Sequence, residues 1–445
     1  MSMVIRNNIS ALRILNIMNQ HSSALTKSMQ RLSSGRRINS AADDPSGYAI
    51  SQRMQVQIRS LDQAARNAQN GMSLLKVSEG AVSSTVDILK TLKEKVLNAA
   101  NDTNSDADRR IIQKELDQAI DQINDNANVS FNGKPLMDGS LNKQIGTATT
   151  SVFTNQKLGM ATIAGSALTS LADRNGNTLD IKSTDTIKIS FVQNGKTFTT
   201  SYAVGNTTLA DVFSNATSSA GTAGYGFSAT QQAGSFIGVD ATGVSTYTAD
   251  GTSAFSVAAA SSGVTGQISG FTISVSGKDG NIKKSINEKL DGFSESIRAQ
   301  NKSGDNALSL QIGTKSNQSI TTALTDMRAQ ALGLQGTDPV TGLTKNIDVT
   351  TREGANAAIS VFDSAIAKAL DEQTNIGAVE SRLDYTVSNL TTASENLTAA
   401  ESTIGDVNMA KEIMEYTKHN ILMQAAQAML AQANQSSLSI LSLLK

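Results

Sequence analysis

The sequence predicts a mainly α protein: long coiled-coil-like helices contributed by both termini, a small β-hairpin region, and an inserted β-rich outer domain. Three observations lead there. Toward both ends of the chain, apolar residues recur at spacings of three and four, the signature of a one-sided helix. Between about Leu141 and Leu290 the composition turns to Ser, Thr, Gly and Ala, with alternating runs such as IKISFV, KTFTTSYAV and FTISVSG that read as strands. Only three prolines occur in 445 residues, and one of them, Pro45, interrupts the first helical pattern.

The first element is a stripe through Ile5, Ile9, Leu12, Leu15, Met18, Leu25, Met29 and Leu32. A narrow stripe of this kind cannot be satisfied by its own helix. The stretch LSSGRRINSAADDPSGYAIS then forms a joint, in which Gly35 is a natural stop, Asp43 or Asp44 a good N-cap, and Pro45 suits a first helical position. Arg31, Arg36 and Arg37 are expected to contact neighbouring carboxylates there. A second pattern runs from Ile50 to Val96. At about 50 residues it spans roughly 75 Å, too long for an ordinary globular helix.

A polar loop follows. Asp102, Asn104, Asp106 and Asp108 are spaced like the start of a calcium loop, but Ala107 stands at the sixth position and Gln113 at the twelfth, so helix capping is the reading. A shorter helix carries Ile112, Leu116, Ala119 and Ile123 and ends near Asn128, before the turn residues Asn132 and Gly133. Beyond the β-rich middle, NALSLQIG reads as a strand that turns into another. Helical periodicity then returns from Ile359 to Leu397, and again through Ile404, Val407, Met414, Ile421, Ala425 and Ala428 to a Leu-rich end. Two unpaired seams at opposite ends of one chain most simply pack against each other.

Composition narrows the function classes. With 38 basic and 39 acidic residues the formal net charge is -1, so no long-range field holds nucleic acid or an anionic membrane. Aromatics make up only 4%, Trp is absent, and small side chains suit close helix packing better than a thick globular core. The absence of cysteine removes thiolate catalysis and cysteine metal sites. His21 and His419, the only histidines, lie in the terminal helices, so the insert has neither a zinc-protease motif nor a Ser-His-Asp arrangement. We therefore expect no enzyme, no cofactor and no metal. No stretch reaches the roughly 18 apolar residues of a membrane span, and the N-terminus lacks a secretory h-region.

The phrases SSGRRINSAADDPSGYAIS, NNISALRILN, FNGKPLMDG, LQIGTKSNQSITTALTDMRAQALGL, IGAVESRLDYTVSNLTTASENLTAAESTIGDVNMAKE and AQAMLAQANQSSLSILSLLK resemble bacterial flagellin over roughly residues 1–140 and 300–445. That resemblance implies a self-assembling filament subunit exported without a cleaved signal peptide. Residues 1–42 would form the N-terminal inner-tube helix and spoke, 43–140 a long-helix layer, and 141–300 a variable outer insert. Residues 301–401 would complete the long-helix layer with a β-hairpin, and 402–445 form the C-terminal inner-tube helix. The implied assembly surface is Ile5, Ile9, Leu12, Leu15, Met18, Leu25, Met29, Leu32, Val407, Met414, Ile421, Ala425, Ala428, Leu441 and Leu444. The implied spoke is Gly35, Arg36, Arg37, Asp43, Asp44 and Pro45.

Implied partners are further copies of the chain, an export chaperone over Ile421 to Leu444, the filament cap and hook-junction proteins. The family's innate-receptor pattern, Arg-x-Arg-Glu-Leu, is incomplete: Thr91 replaces the first Arg, Lys93 and Glu94 keep the basic-acidic pair, Lys95 replaces Leu, and Glu115 matches the second-helix Glu. Weakened receptor binding is expected. Periodicity alone favours an intramolecular hairpin without a polymer, and the motif match reverses that. A hook-filament junction protein, or a secreted coiled-coil protein with an adhesive insert, is the alternative. The Ser/Thr-rich insert stretches read either as strand-edge chemistry or as O-glycosylation sites.

Overall fold

The computed structural model describes residues 8–221, 225–229, 231–338 and 342–443. Among them run α1 (Ile9–Ser34), α2 (Pro45–Ala99), α3 (Asp106–Ala127), α4 (Leu209–Ala220), α5 (Lys284–Leu290), α6 (Ala329–Leu332), α7 (Arg352–Gly405) and α8 (Met409–Leu443). The chain divides into two compact units, to which both α2 and α7 contribute. One comprises Met1–Gln69, Gln311–Gln318 and Tyr385–Lys445; the other comprises Asn70–Leu310 and Ser319–Asp384.

In the first unit α1 and α8 lie antiparallel. Near one end Asn8 Nδ2 donates to Ala433 O at 3.3 Å, and near the other the Val407 N–H donates to Gly35 O at 3.0 Å. The residues turned toward the partner on α1 are Ile14, Met18, His21, Leu25, Ser28 and Leu32; on α8 they are Glu412, Tyr416, His419, Met423, Ala426 and Leu430. Both sets alternate steps of four and three. That mean of 3.5 keeps a seam facing its partner along the whole helix.

The second unit holds a helical core and the insert. Leu75, Val82, Val86, Leu89, Leu92 and Val96 of α2, with Leu116, Ile120 and Ile123 of α3, are buried, as are Val361, Phe362 and Ala365 of α7. Each such aliphatic side chain contributes about 1.5–3 kcal/mol on burial. Close approach is bought with glycine at two places: a Cβ on Gly71 would lie 2.5 Å from Leu310 Cδ1, and one on Gly270 2.9 Å from Val361 N. The Asn132–Gly133 turn joins Ser130–Phe131 to Lys134–Pro135, with φ of 50° and 76°. Positive φ at both central residues is the hairpin turn that asparagine-glycine favours.

Among the described residues the insert contains two larger antiparallel sheets and a two-stranded pair, Phe236–Val239 with Ser245–Tyr247. In one larger sheet, Thr186–Gln193 is central between Ile268–Ser276 and Lys196–Ala203; in the other the order is Phe293–Ile297, Val152–Asn155, Ala254–Ala258, Gln232–Gly234. The expectation from small side chains needs correction here. The insert has a thick aromatic core: Phe191 stacks on Phe198 at 5.1 Å between centroids, and Phe213 meets Phe227 edge-on at 4.9 Å. The chain's few phenylalanines are concentrated in this module, so a low average hid a dense local core. It also carries α4, absent from the strand reading, which opens on a capping box between Thr208 and Asp211.

Candidate functional site

The joint is a network of named bonds. Gly35 ends α1 at φ 71°, a left-handed conformation that spares it the Cβ clash other residues meet, and its N–H donates to Arg31 O. Asp43 Oδ2 accepts the backbone N–H groups of Asn39 and Ser40 at 3.2 and 3.0 Å. Those bonds hold its carboxyl below the ordinary value, the Ser40 amide foremost. Asp44 caps α2 by accepting the Gly47 N–H at 2.9 Å, with Pro45 in the first helical position. All six joint residues named from sequence are therefore gathered at this turn.

The three arginines find the partners expected of them, with one difference. Arg31 lies 3.9 Å from Glu412, and Arg36 Nη2 lies 2.7 Å from Glu401 Oε1. Arg37 instead donates to the carbonyl of Ile404 at 2.6 Å, because the end of α7 leaves that acceptor unpaired within the helix. Glu401 is the hub that sequence reasoning missed. Its Oε1 also accepts Ser51 Oγ at 2.7 Å and Gln55 Nε2 at 2.8 Å. Burial pushes this carboxyl up, but the Ser51 and Gln55 bonds and the Arg36 charge outweigh burial and hold it below the ordinary glutamate value. Nothing local in the sequence marks Glu401, whose partners are more than 300 residues away.

Beside the joint, the terminal pair has an inner face, already described, and an outer one. Of the sequence stripe, Met18, Leu25 and Leu32 are half-buried toward α8. Ile9, Leu12, Leu15 and Met29 are exposed, Ile9 and Leu12 at 55% each. On the C-terminal side Val407 is half-buried, Met414 and Ile421 are exposed at 66% and 60%, and Ala425 and Ala428 are exposed. Ile17, Ile413, Leu422 and Met429 are also exposed and were not in the sequence stripe. Ile5 and Leu444 lie outside the described residues, as does the side chain of Leu441. Pairing α1 with α8 thus uses one apolar face and leaves a second, on both helices, in solvent.

In the second unit Lys93 pairs with Asp363, Lys95 Nζ lies 3.0 Å from Glu115 Oε1, and Glu94 is exposed. The acidic loop before α3 caps its helix: Ser105 accepts the Asp108 N–H while Asp108 accepts the Ser105 N–H. Among the described residues no group of three His, Asp or Glu side chains is arranged to hold a metal, and no helix is long and apolar enough to cross a membrane.

The family model for the bacterial flagellin N-terminal helical region matches residues 5–142, and that for the C-terminal helical region matches residues 359–444. A flagellin of Clostridium tyrobutyricum is 34% identical over 437 residues, covering 98% of this chain and 100% of its own. A flagellin of Bacillus subtilis is 29% identical over 458 residues, covering 100% of both. Among solved structures, FliC from Burkholderia pseudomallei matches at 18% identity over 70% of this chain and 99% of its own, with a TM-score of 0.25. With both terminal helical regions matched and a relative aligned end to end at 34% identity, the chain belongs to the bacterial flagellin family.

Proposed function

We infer that this chain is a structural subunit that polymerises into the bacterial flagellar filament, outside the cell, for swimming motility. One observation carries the reading: after α1 and α8 have satisfied each other, a second apolar face remains on both. Apolar side chains left exposed in this number on paired helices mark an interface. A head-to-tail contact whose rotation does not close builds a helical polymer. Seeded elongation of the full chain, with Leu12→Ser and Ile421→Ser variants beside it, tests this.

In our reading residues 1–42 and 402–445 form the inner tube, 43–140 and 301–401 a second layer, and 141–300 the outward module. The joint is the spoke between layers, and the bonds from Arg36 and Arg37 to the end of α7 support that role. The subunit acts as a scaffold without catalysis. Before export the outward residues Ile421, Leu422 and Met429 suit an apolar groove on a chaperone, a helix-in-groove mode. The filament cap and hook-junction proteins meet the same terminal surfaces.

Innate-receptor activation is expected to be weak. Lys93 and Glu115 are engaged within the chain, and the apolar anchor is replaced by Lys95. In a receptor-reporter assay the triple change Thr91→Arg, Lys93→Arg, Lys95→Leu should raise signalling. Parent activity equal to that of a flagellin with the full pattern would contradict this.

A further inference from the structure

The chain's two histidines, nearly 400 positions apart in sequence, meet across the α1–α8 seam. His21 on α1 and His419 on α8 bring their Nδ1 atoms to 3.3 Å, with ring centroids 5.5 Å apart and planes inclined by 43°. That separation is one that an N–H···N hydrogen bond between the two rings can span. It also matches another geometry. Two metal–nitrogen bonds of about 2.0–2.1 Å at a tetrahedral angle place their nitrogens about 3.3 Å apart.

A second feature agrees. The far nitrogen of His419, Nε2, lies 3.7 Å from Glu415 Oε2, one turn earlier on α8. An imidazole that binds a metal through one nitrogen typically turns its other N–H toward a carboxylate, which fixes the tautomer. Glu415 stands on the Nε2 side of His419, beyond direct hydrogen-bond distance, and the Nδ1 edge of the ring is the one that meets His21. Both rings are half-buried, so water can reach the remaining coordination positions.

We propose that His21 and His419 form a two-imidazole site for a divalent transition-metal ion, best matched to Zn2+, that clasps α1 to α8 within one chain. Imidazole is a preferred ligand for Zn2+ and its neighbours in the first transition row. The ion holds together the helix pair that carries the assembly surface, so loading the site stabilises the paired state. The site is independent of the outward apolar face, and its failure would leave the filament reading intact.

Having only two histidines makes the test clean. The full chain is labelled with 15N-histidine and titrated with Zn2+ in a non-coordinating buffer, and the four ring nitrogens are followed by NMR. Both Nδ1 resonances should shift together and saturate at one ion per chain, while both Nε2 stay protonated. His21→Gln should remove the shift at His419 as well, since a lone imidazole loses the chelate and binds about tenfold or more weakly; His419→Gln should do the converse.

Zn2+ should also slow tryptic cleavage at Arg13 and Lys27 in the parent and not in either variant, with circular dichroism confirming that the variants keep their helices. Four results would overturn the site: no shift at excess Zn2+, a shift at Nε2, unchanged binding by His419 when His21 is replaced, or ion-driven dimers in sedimentation.

Discussion

Replacing Glu401 with alanine should open the joint. One carboxylate oxygen serves Arg36, Ser51 and Gln55 at 2.7, 2.7 and 2.8 Å. The arginine is the least costly loss, because its side chain is 36% exposed and rehydrates. Ser51 is buried, and a buried hydroxyl stripped of its acceptor costs about 1–3 kcal/mol. The half-buried Gln55 amide adds about 0.5–1 kcal/mol. The sum is about 1.5–4 kcal/mol, roughly a ten- to several-hundredfold rise in local opening.

The local reporters are the Arg37 and Val407 amides, which donate across the joint to Gly405 and Gly35 at 2.8 and 3.0 Å. Their hydrogen-exchange protection should fall by that factor in Glu401→Ala. In Glu401→Gln the loss should be smaller, because an amide oxygen still accepts from Ser51. The folded carboxyl titrates below the ordinary glutamate value. The ionised group's contribution is therefore full at neutral pH and is lost as pH falls through and below the ordinary glutamate range; Glu401→Gln should lack that dependence. Unchanged protection at Arg37 and Val407 in Glu401→Ala would refute the hub.

Two glycines in α2 should respond oppositely to alanine. At Gly47 the new methyl meets the Asp44 carboxylate and lies 2.7 Å from Ile38 Cδ1, so overpacking of about 1–3 kcal/mol should exceed the helix-propensity gain. At Gly80 nothing lies within 4 Å, so alanine should stabilise the free chain by about 0.5–1 kcal/mol in urea unfolding. In the insert, burial pushes Asp291 up to about 6 although the Ile273 N–H bonds to it and Lys157 opposes the shift. The folded acid holds its proton more tightly than the unfolded chain does. Stability therefore falls as pH rises from about 4 to 6, the ordinary to the folded value. Asp291→Asn should flatten that slope and raise the insert's melting temperature at pH 7, whereas a steeper slope would contradict the assignment.

Much of this architecture was legible because its signals are local and repeated. Gly35, Asp44 and Pro45 announce the ends of α1 and α2, and the steps of three and four locate the long helices. Which face of α1 meets α8 was not legible. Ile9, Leu12 and Leu15 point outward while Ile14, Met18 and His21 point inward. A helix with apolar residues on two sides does not say which side its own chain will cover, since that depends on the sequence of α8. α4 was hidden by its Ser, Thr and Ala content, although the pair Thr208 and Asp211 was an available start signal. The contact of His21 with His419 and the hub at Glu401 follow from the register of segments far apart in sequence, and short-range patterns do not encode that register.

The central claim is that the apolar face left over after pairing is the surface on which subunits assemble. Purified full-length chain, seeded with filament fragments, is followed by sedimentation and electron microscopy beside a Leu12→Ser/Ile421→Ser variant. Both side chains point away from the α1 and α8 seam, so the variant should keep the parent's helical content and monomer stability. The account predicts long tubes from the parent and none from the variant at the same concentration. Equal elongation by the two chains, with the substitutions confirmed and the fold intact, would contradict it.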